Sequence, residues 1–362
     1  MKSDIMNWLD SKTTSKLPSK ESLNHPGLIR LATGMDPYTN TFKAYKTAYQ
    51  ALGIDIINFM PEKNAPPPLL PGETKFTHDG CVQEAYYGLY NSSTRVKYPF
   101  STLEEIHDYD FSILEYNDLP LPGAQYLMSC NKEEISRKIE ITGNTGLYYY
   151  QLYTTVFMWG VEVLGWEMFM MAAITDPELF DKHFFEPLFE KSKHIVSMLA
   201  DLDSPWVFCH DDIAVSTGAV FDPGWYKRYI FPRYNMLCRM VHQKNKKIFF
   251  VCDGNMEWAL RELRDAGFDG LMFETPATRL EAVIDTWGDK FFIGGISAEL
   301  LTRATPGEVN LHVDELMKII KGNRNFAICS SGGLTGNMPL ENLEAYFDKR
   351  VEYGFTNKNW RK

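Results

Sequence analysis

Residues 206–212 read WVFCHDD, residues 247–254 read KIFFVCDG and residues 270–274 read GLMFE. Two later stretches have the same form, KFFIGGIS at 290–297 and NFAICSSGG at 325–333. Each is a short apolar run that ends in polar residues. A strand of a parallel sheet is covered by helices on both faces, so it has a continuous hydrophobic block without alternation. The five runs therefore predict an α/β fold, a (β/α)8 barrel of the TIM type.

The polar ends of these runs predict where the chemistry lies, because the active sites of such barrels are at the carboxyl ends of the strands. An apolar core has no need of acids and thiols, so we predict catalytic roles for Asp211, Asp212, Asp253 and Glu274. Substrate contacts are predicted from strand-end hydroxyls and from an aromatic-rich stretch upstream. The predicted substrate-binding residues are Tyr149, Trp159, Ser297 and Ser331.

Composition excludes several classes of protein. The chain has 362 residues, 44% hydrophobic and 23% charged, which is enough to bury a large core. A net charge of -10 and the absence of a Lys/Arg cluster argue against nucleic-acid binding. The start has no apolar signal-peptide segment and no run is long enough to span a bilayer, so a cytoplasmic protein is expected. Six separated cysteines without a C-x-x-C pair indicate reduced thiols.

The N-terminal half is expected to elaborate the barrel. Residues 1–35 are interpreted as an N-terminal helical extension closed by Gly34, and residues 36–362 as one barrel domain. IDIINFM at 54–60 predicts a strand, and a further strand is expected from Ile139 to Val156. The proline-rich loop from Pro61 to Pro71 cannot be a helix or a central strand, and a lid over the site is one role for it.

The segment HDDIAVSTGAVFDPGWYKRYIFPRYNMLCRMVHQKNKKIFFVCDGNM, residues 210–256, resembles the centre of the uroporphyrinogen decarboxylase superfamily. YPFSTLEEIHDYDF at 98–111, WGVEVLGWEMFMMAAITDPELF at 159–180, GGISAELLTRATPGEV at 294–309 and MPLENLEAYFDKRVEYG at 338–354 match further landmarks in order. The resemblance covers roughly residues 40 to 355. It implies either cofactor-free decarboxylation or zinc-assisted methyl transfer to or from a corrinoid.

The decarboxylase branch is disfavoured because its arginine motif is missing here. The true decarboxylases of this superfamily carry an R-Q-A-G-R-Y sequence near the N-terminus that holds an octacarboxylate. Arginine suits this task because its guanidinium group pairs with carboxylates bidentately. The comparable region here reads LATGMDPYTN at 31–40, with Arg30 as the only arginine nearby. The resemblance therefore favours the methyltransferase branch, including enzymes that demethylate methoxylated compounds.

The zinc motif of that branch, H-x-C-G followed by a later Cys, is altered here. Val251 and Asp253 stand at its His and Cys positions, and the later Cys is replaced near Gly332. His210, Asp253 and Glu274 remain as N and O ligands, with Cys252 and Cys329 as further candidates. Such a harder zinc site would polarise an ether or hydroxyl oxygen. The chain has no D-x-H-x-x-G corrinoid motif, so the resemblance implies a corrinoid carried on a partner protein.

Ordinary roles compete with these functional ones. Asp211, Asp212 and Asp253 could cap helices or turns, His210 could be structural, and the thiols could be small buried hydrophobes. The function predicted is methyl transfer between a small, methoxylated substrate and a partner's corrinoid. A metal-free decarboxylase of a small carboxylated substrate and a non-catalytic binding protein remain as alternatives. Assembly as a homodimer is also left open.

Overall fold

The computed structural model describes residues 2–11, 14, 16–66, 69–70, 72–76, 81–84, 88–113, 131–320 and 322–362. Its centre is a barrel of eight parallel strands, which we number β1 to β8. They are β1 Ser19–Lys20, β2 Ile56–Ile57, β3 (residues 147–152), β4 Trp206–His210, β5 Lys247–Cys252, β6 Gly270–Phe273, β7 Phe291–Ile296 and β8 Phe326–Ser330.

Strand β3 closes the barrel. Its first part, Leu147–Tyr148, pairs in parallel with β2, and its second part, Gln151–Leu152, pairs in parallel with β4. The strand order then runs from β4 through β8 to β1 and back to β2. Both edges of the sheet therefore belong to one segment, and no edge of the barrel is left open.

The lower barrel is filled with apolar side chains and closed by the helix Lys2–Leu9. Inward-facing residues such as Phe208, Phe249 and Phe291 pack into one cluster with Trp8 of that helix. The Trp8 ring lies 4.6 Å from the ring of Phe291, between centroids, in an edge-to-face contact. Because these apolar side chains fill this end among the described residues, the opposite end, at the carboxyl ends of the strands, is the side from which a small molecule can enter.

Helices surround the barrel and follow the strands. The α-helices are Lys2–Leu9, Pro26–Thr33, Thr41–Leu52, Leu103–Asp108, Lys132–Thr142, Met158–Thr175, Pro177–Phe180, Glu186–Ala200, Pro223–Tyr229, Phe231–His242, Leu260–Ala266, Leu280–Trp287, Ala298–Arg303, Pro306–Ile319 and Leu340–Glu352. A π-helical turn at Asp181–Phe185 joins two of them, and Phe111–Ile113 and Glu257–Ala259 are 3-10 turns. Within the described part of the chain, no helix is both long and apolar enough to cross a membrane.

Three small sheets lie outside the barrel. Ala214–Val215 pairs with Gly218–Ala219, Leu23–Asn24 pairs with Leu334–Thr335, and an antiparallel sheet contains Thr74–Phe76, Cys81–Glu84 and Ser92–Arg95. Residues 61–66 of the proline-rich loop form no helix or strand. Pro67, Pro68 and Pro71 lie outside the described residues, so the lid role of that loop remains a prediction.

The α/β barrel and its five C-terminal strands are confirmed, and two expectations for the N-terminal half are wrong. Ser19–Lys20 is strand β1, so residues 1–35 are not a helical extension separate from the barrel. The misreading arose because a two-residue strand shows no hydrophobic run. Residues 139–142 belong to the helix Lys132–Thr142, and the strand expected from Ile139 begins only at Leu147. Gly143 ends that helix, since its amide closes the last turn onto Ile139.

Candidate active site

A polar cavity of about 130 Å³ lies at the carboxyl ends of the strands, above the apolar barrel interior. It is lined by Lys20, Ser22, Asn58, Gln151, His210, Asp253, Met272, Phe273, Glu274, Cys329, Ser330, Ser331, Gly332 and Gly333. A larger groove, of about 1000 Å³, lies among the outer helices and contains none of these strand-end residues. The cavity is therefore the candidate active site, in the place that the barrel fold predicts.

His210 lies at the end of β4 and is held from both sides of its ring. Its Nε2 is 2.9 Å from Oδ1 of Asp212, and its Nδ1 is in very short contact with the amide nitrogen of Gln151. Since that amide donates, Nδ1 accepts and Nε2 carries the proton given to Asp212. Protonation of both nitrogens requires the Gln151 amide to turn and present its oxygen.

Asp212 is the carboxylate of this pair. Its Oδ1 also accepts from the backbone N–H of Asp253 at 3.0 Å, and its Oδ2 accepts from the hydroxyl of Tyr153 at 3.3 Å. Burial acts to raise the pKa of Asp212, but the charge and hydrogen bond of His210 outweigh it and the pKa is lowered. Burial likewise acts to lower the pKa of His210, and the carboxylates, Asp212 foremost, reverse this and raise it. The pair thus favours an imidazolium beside a carboxylate.

Asp253 completes a cluster at the ends of β4 and β5. Its Oδ2 is 3.8 Å from Nε2 of His210, and its side chain is 51% exposed. Ligand atoms of His210, Asp212 and Asp253 all lie within 4.8 Å of one another. One nitrogen and two carboxylate oxygens form a donor set that fits a divalent ion of borderline to hard character. With an ion on Nε2 the ring proton is on Nδ1, so the Gln151 amide would have to turn and accept that proton with its oxygen.

Glu274 follows β6 and lies on the wall of the same cavity. Burial, followed by the charge of Asp253, raises the pKa of Glu274 to about 7. The backbone N–H of Gly332 opposes this shift by donating to the carboxyl group. Burial and the neighbouring Asp212 also raise the pKa of Asp253. A carboxyl group that is partly protonated at neutral pH can give a proton to a leaving oxygen.

The predicted catalytic role of Asp211 is wrong, because its side chain points away from the cavity. Its carboxylate is fully buried and accepts the backbone N–H groups of Val156, Phe157 and Met158 at 2.6 to 2.9 Å. The hydroxyl of Tyr234 donates to it at 2.6 Å. Asp211 therefore anchors the start of the helix Met158–Thr175 to the barrel wall, and four donors leave no room for a substrate.

The two thiols proposed as metal ligands do not join the cluster. Cys252 is fully buried in the layer between strands and helices, and burial raises its pKa well above the usual value. Cys329 lines the cavity, but it donates to the carbonyl of Ser330 at 3.1 Å and burial raises its pKa to about 12. Neither sulfur atom belongs to the group of ligand atoms that His210, Asp212 and Asp253 bring together. Glu274, the other proposed ligand, also lies outside the cluster of His210, Asp212 and Asp253. Val251 belongs to the apolar barrel interior below the cavity.

Of the predicted substrate-binding residues, Ser331 lines the cavity and the other three do not. Its hydroxyl donates to the carbonyl of Thr275 and accepts the Thr275 N–H, both at 3.0 Å. Tyr149 packs against Phe208 in the barrel interior below the cavity. Trp159 donates to Ser192 between helices, and Ser297 caps the helix Ala298–Arg303. Packing and capping, rather than substrate contact, account for these three.

Sequence reasoning missed Lys20, Asn58 and Gln151, which all line the cavity. They lie on or beside the short strands β1, β2 and β3, whose apolar runs are too brief to mark a strand end. A basic or amide side chain on or beside so short a strand gives no signal by itself. Only the closed barrel brings these residues to the same cavity as His210 and Asp253.

The family model described as "Uroporphyrinogen decarboxylase (URO-D)" matches residues 154–353, more than half of the chain. This chain belongs to the uroporphyrinogen decarboxylase family. The match begins beside β3 and ends just after the last helix, so it includes His210, Asp212, Asp253 and Glu274 but not Lys20 or Asn58. Comparison with curated protein sequences gave no significant match.

Comparison with solved structures gave matches at low identity and low TM-score. A D-psicose 3-epimerase from Clostridium cellulolyticum H10 has 8% identity and a TM-score of 0.39, covering 62% of this chain and 84% of its own. A protein assigned as a vitamin-B12-independent methionine synthase from Listeria monocytogenes has 12% identity and a TM-score of 0.43. The match covers 96% of this chain and 97% of the Listeria chain. A β-mannanase from the blue mussel Mytilus edulis has 8% identity and a TM-score of 0.42, and the match covers 96% of this chain and 94% of the mannanase chain. At this similarity they carry no functional argument.

Proposed function

We propose that the protein is a methyltransferase that moves a methyl group from a small methoxylated substrate to a corrinoid on a partner protein. The observation that supports this most is the convergence of His210, Asp212 and Asp253 at the cavity. These nitrogen and oxygen donors suit an ion that polarises an oxygen atom, and no thiolate lies among them. The cluster therefore favours an ether or hydroxyl substrate over a thiol.

The chain's own residues would handle the proton. In the proposed reaction the bond between the methyl carbon and the substrate oxygen breaks, and the bonding electron pair stays on the oxygen. The methyl group passes to the corrinoid of the partner. Glu274 then gives a proton to the oxygen, which leaves as a hydroxyl, and the His210 imidazolium is a second proton donor only where no ion occupies its Nε2. Asp212 holds the imidazole in place, through the contact at 2.9 Å.

A divalent ion, where bound by His210, Asp212 and Asp253, would supply Lewis-acid polarisation of the substrate oxygen. The remaining work belongs to protein side chains. Asn58, Gln151 and Ser331 place polar atoms around the cavity, and Tyr153 presents its ring edge to His210 at 4.4 Å between centroids. Burial, and then the charge of Asp212, raises the pKa of Tyr153, so its hydroxyl remains a donor to Asp212.

The test uses free cobalamin, reduced to Co(I), as the methyl acceptor. The purified protein is mixed with it and with methanol, methoxyacetate or 2-methoxyphenol, and consumption of Co(I) is followed by visible absorbance. We expect at least one methoxylated compound to react. His210→Ala and Asp212→Asn should abolish the reaction.

A matched control is the surface pair of His242, the last residue of an outer helix, and Asp269, just before β6, whose Nε2 and Oδ2 are 2.8 Å apart. His242→Ala should react like the wild type. Saturable binding of these compounds without any turnover would contradict the proposal and support a non-catalytic binding protein.

Decarboxylation of a small carboxylated substrate is a second candidate. The observation in its favour is the buried ammonium of Lys20 at the same cavity, a group that attracts a carboxylate. Glu274 could then protonate the carbanion left after loss of CO2. Release of CO2 from a small carboxylate, without Co(I) consumption, would favour this reaction over methyl transfer.

A further inference from the structure

We propose that Lys20 receives the carboxylate of the substrate, so that the substrate is a small molecule with a carboxylate at one end and the reacting group at the other. The reacting group rests on the proposed function, but the recognition of the carboxylate does not. Lys20 points into the cavity, its position on β1 is fixed by the neighbouring residue, and its ammonium has no ion-pair partner among the described residues.

Lys20 faces the barrel interior because its two neighbours face outward. Successive side chains of a strand point to opposite faces. The hydroxyl of Ser19 donates to the carbonyl of Gly53 at 2.7 Å, and Glu21 contacts the C-terminal helix. Lys20 between them therefore points into the cavity, where its side chain is 3% exposed.

Glu21 fixes this register. Its carboxylate is fully buried and accepts from Arg350 at 3.0 Å and from the hydroxyl of Tyr346 at 2.6 Å. It also accepts the backbone N–H of Ser330 on the neighbouring strand, at 3.1 Å, and is in very short contact with the Ser330 hydroxyl. Such an anchored carboxylate allows little sliding of β1, so Lys20 keeps its place at the cavity.

The ammonium of Lys20 has no ionic partner among the described residues. It donates to the hydroxyl of Ser22 at 2.8 Å and also hydrogen-bonds the side chain of Tyr149, both of them neutral groups, and no described carboxylate forms an ion pair with it within 4.0 Å. A buried charge without a partner is costly unless something else compensates it. The side chain is built to meet an anion that enters the cavity.

Lys20 nevertheless keeps its proton. Burial acts to lower the pKa of Lys20, but the acidic groups around it, which include the carboxylates of Glu21 and Asp253, act in the opposite direction, and the net pKa is raised. A second group beside it also lacks a partner: the Oδ1 atom of Asn58 is buried and makes no hydrogen bond to the described residues. Rotation of that amide would offer N–H donors to the same anion.

The barrel topology gives the orientation of the substrate. Strand β1 stands opposite β5 in the closed ring of eight strands. Lys20 on β1 therefore faces Asp253 beyond β5, with His210 on the adjacent β4. A carboxylate at Lys20 leaves the other end of a short molecule at the His210, Asp212 and Asp253 cluster. The volume of about 130 Å³ restricts the molecule to a few non-hydrogen atoms.

The test compares methoxyacetate with its uncharged analogue 2-methoxyacetamide in protein freed of divalent ions by chelation, so that no metal can bind the carboxylate. Isothermal titration should show that wild-type protein binds the carboxylate at least about tenfold more tightly, the effect of one charge-assisted hydrogen bond. Lys20→Met should lose this preference, and Lys20→Arg should retain part of it. Lys290→Met, which changes a half-buried lysine at the opposite end of the barrel, should keep it.

Folding of the variant can be checked in the same experiment. Replacing an unpaired buried charge by an apolar side chain of similar volume is often neutral or stabilising, so Lys20→Met without ligand should melt no lower than the wild type. Equal affinity of the wild type for the two compounds, or an undiminished preference in Lys20→Met, would overturn the assignment. If no methoxylated compound reacts with Co(I) while the Lys20-dependent preference is present, the methyl-transfer proposal fails and the Lys20 assignment stands.

Discussion

The Nε2 atom of His210 lies 2.9 Å from Oδ1 of Asp212, two residues further along the chain. The contact joins the last residue of β4 to the loop that follows it, and Asp212 in turn accepts the backbone N–H of Asp253 after β5. Two adjacent strand ends are thus tied through one carboxylate. The imidazole cannot turn without breaking this bond and its contact with Gln151.

Asp212→Asn should remove activity while leaving the protein folded. The amide keeps a hydrogen-bond acceptor for the Asp253 N–H, but it loses the charge that favours the imidazolium. We expect the rate of the proposed reaction to fall by about 10² to 10⁴, the usual contribution of a positioned acid or base. Steady-state kinetics together with circular dichroism of the variant would measure this. Full activity in a folded Asp212→Asn protein would remove the pair from the mechanism.

Asp211→Ala is the matched opposite, since Asp211 is the neighbouring acid and points the other way. The substitution leaves three backbone N–H groups and the Tyr234 hydroxyl without their buried acceptor. The free energy of unfolding should fall by about 3–5 kcal/mol, as when one partner of a buried charged network is removed. Urea unfolding would show it. A loss below that seen for Asp212→Asn would contradict the anchoring role.

The contrast between these two acids shows where sequence reasoning ends. The apolar blocks and their polar ends predicted the barrel and the edge that carries the site, because burial on both faces leaves a continuous hydrophobic run. The same burial removes the alternation that would separate inward from outward residues. Thus Asp211 and Asp212, or Cys252 and Asp253, look equivalent in sequence, although only Asp212 and Asp253 join His210.

The sequence does not indicate Lys20 as a cavity residue, for a different reason. Strand β1 has two residues in its ladders, and its flanking residues Ser19 and Glu21 are polar. Those polar groups are satisfied by partners far away in sequence, such as Arg350. No local pattern contains that information, so the first strand looked like part of a helical extension. Contacts across more than three hundred residues decide that it is a barrel strand.

Glu274 should give the activity an alkaline limb. A general acid must be protonated, and burial raises the pKa of Glu274 to about 7. Activity should therefore be highest below that pH and should fall as the pH rises through it. Glu274→Gln cannot release a proton, so it should be slow at all pH values and lack this limb. A pH–rate profile that is the same in Glu274→Gln and the wild type would assign the proton to another group.

The pair of His210 and Asp212 should affect stability in a defined pH window in the metal-free protein. The pKa of His210 is raised from 6.5 in the folded protein. Its contribution to the free energy of unfolding is therefore complete below about pH 6.5 and is lost as the pH rises through the pKa of the folded state. The pKa of Asp212 is lowered from 3.8, so its contribution is present above that pH and is lost as the pH falls through the folded value.

The difference in unfolding free energy between the wild type and Asp212→Asn should therefore be largest at about pH 5 and smaller at about pH 9. Urea titrations at these two conditions would measure it. His242→Ala serves as the control, because it removes an exposed histidine–carboxylate pair. The contribution of such a pair to the free energy of unfolding should be small at both pH values. A difference that grows toward high pH would mean that His210 is neutral in the folded protein.

Metal content tests the donor set itself. Protein stripped by chelation and then equilibrated with Zn²⁺ or Mn²⁺ should retain about one ion per chain, bound by one imidazole and two carboxylates. His210→Ala removes one ligand atom and Asp253→Asn removes the negative charge of another, and each should weaken the affinity at least about tenfold. Cys252→Ser and Cys329→Ser should bind as the wild type does, because neither sulfur atom lies among the ligand atoms that converge at the cluster. Loss of the ion in either cysteine variant would show instead that a thiolate completes the site, and a thiol substrate would again become the better hypothesis.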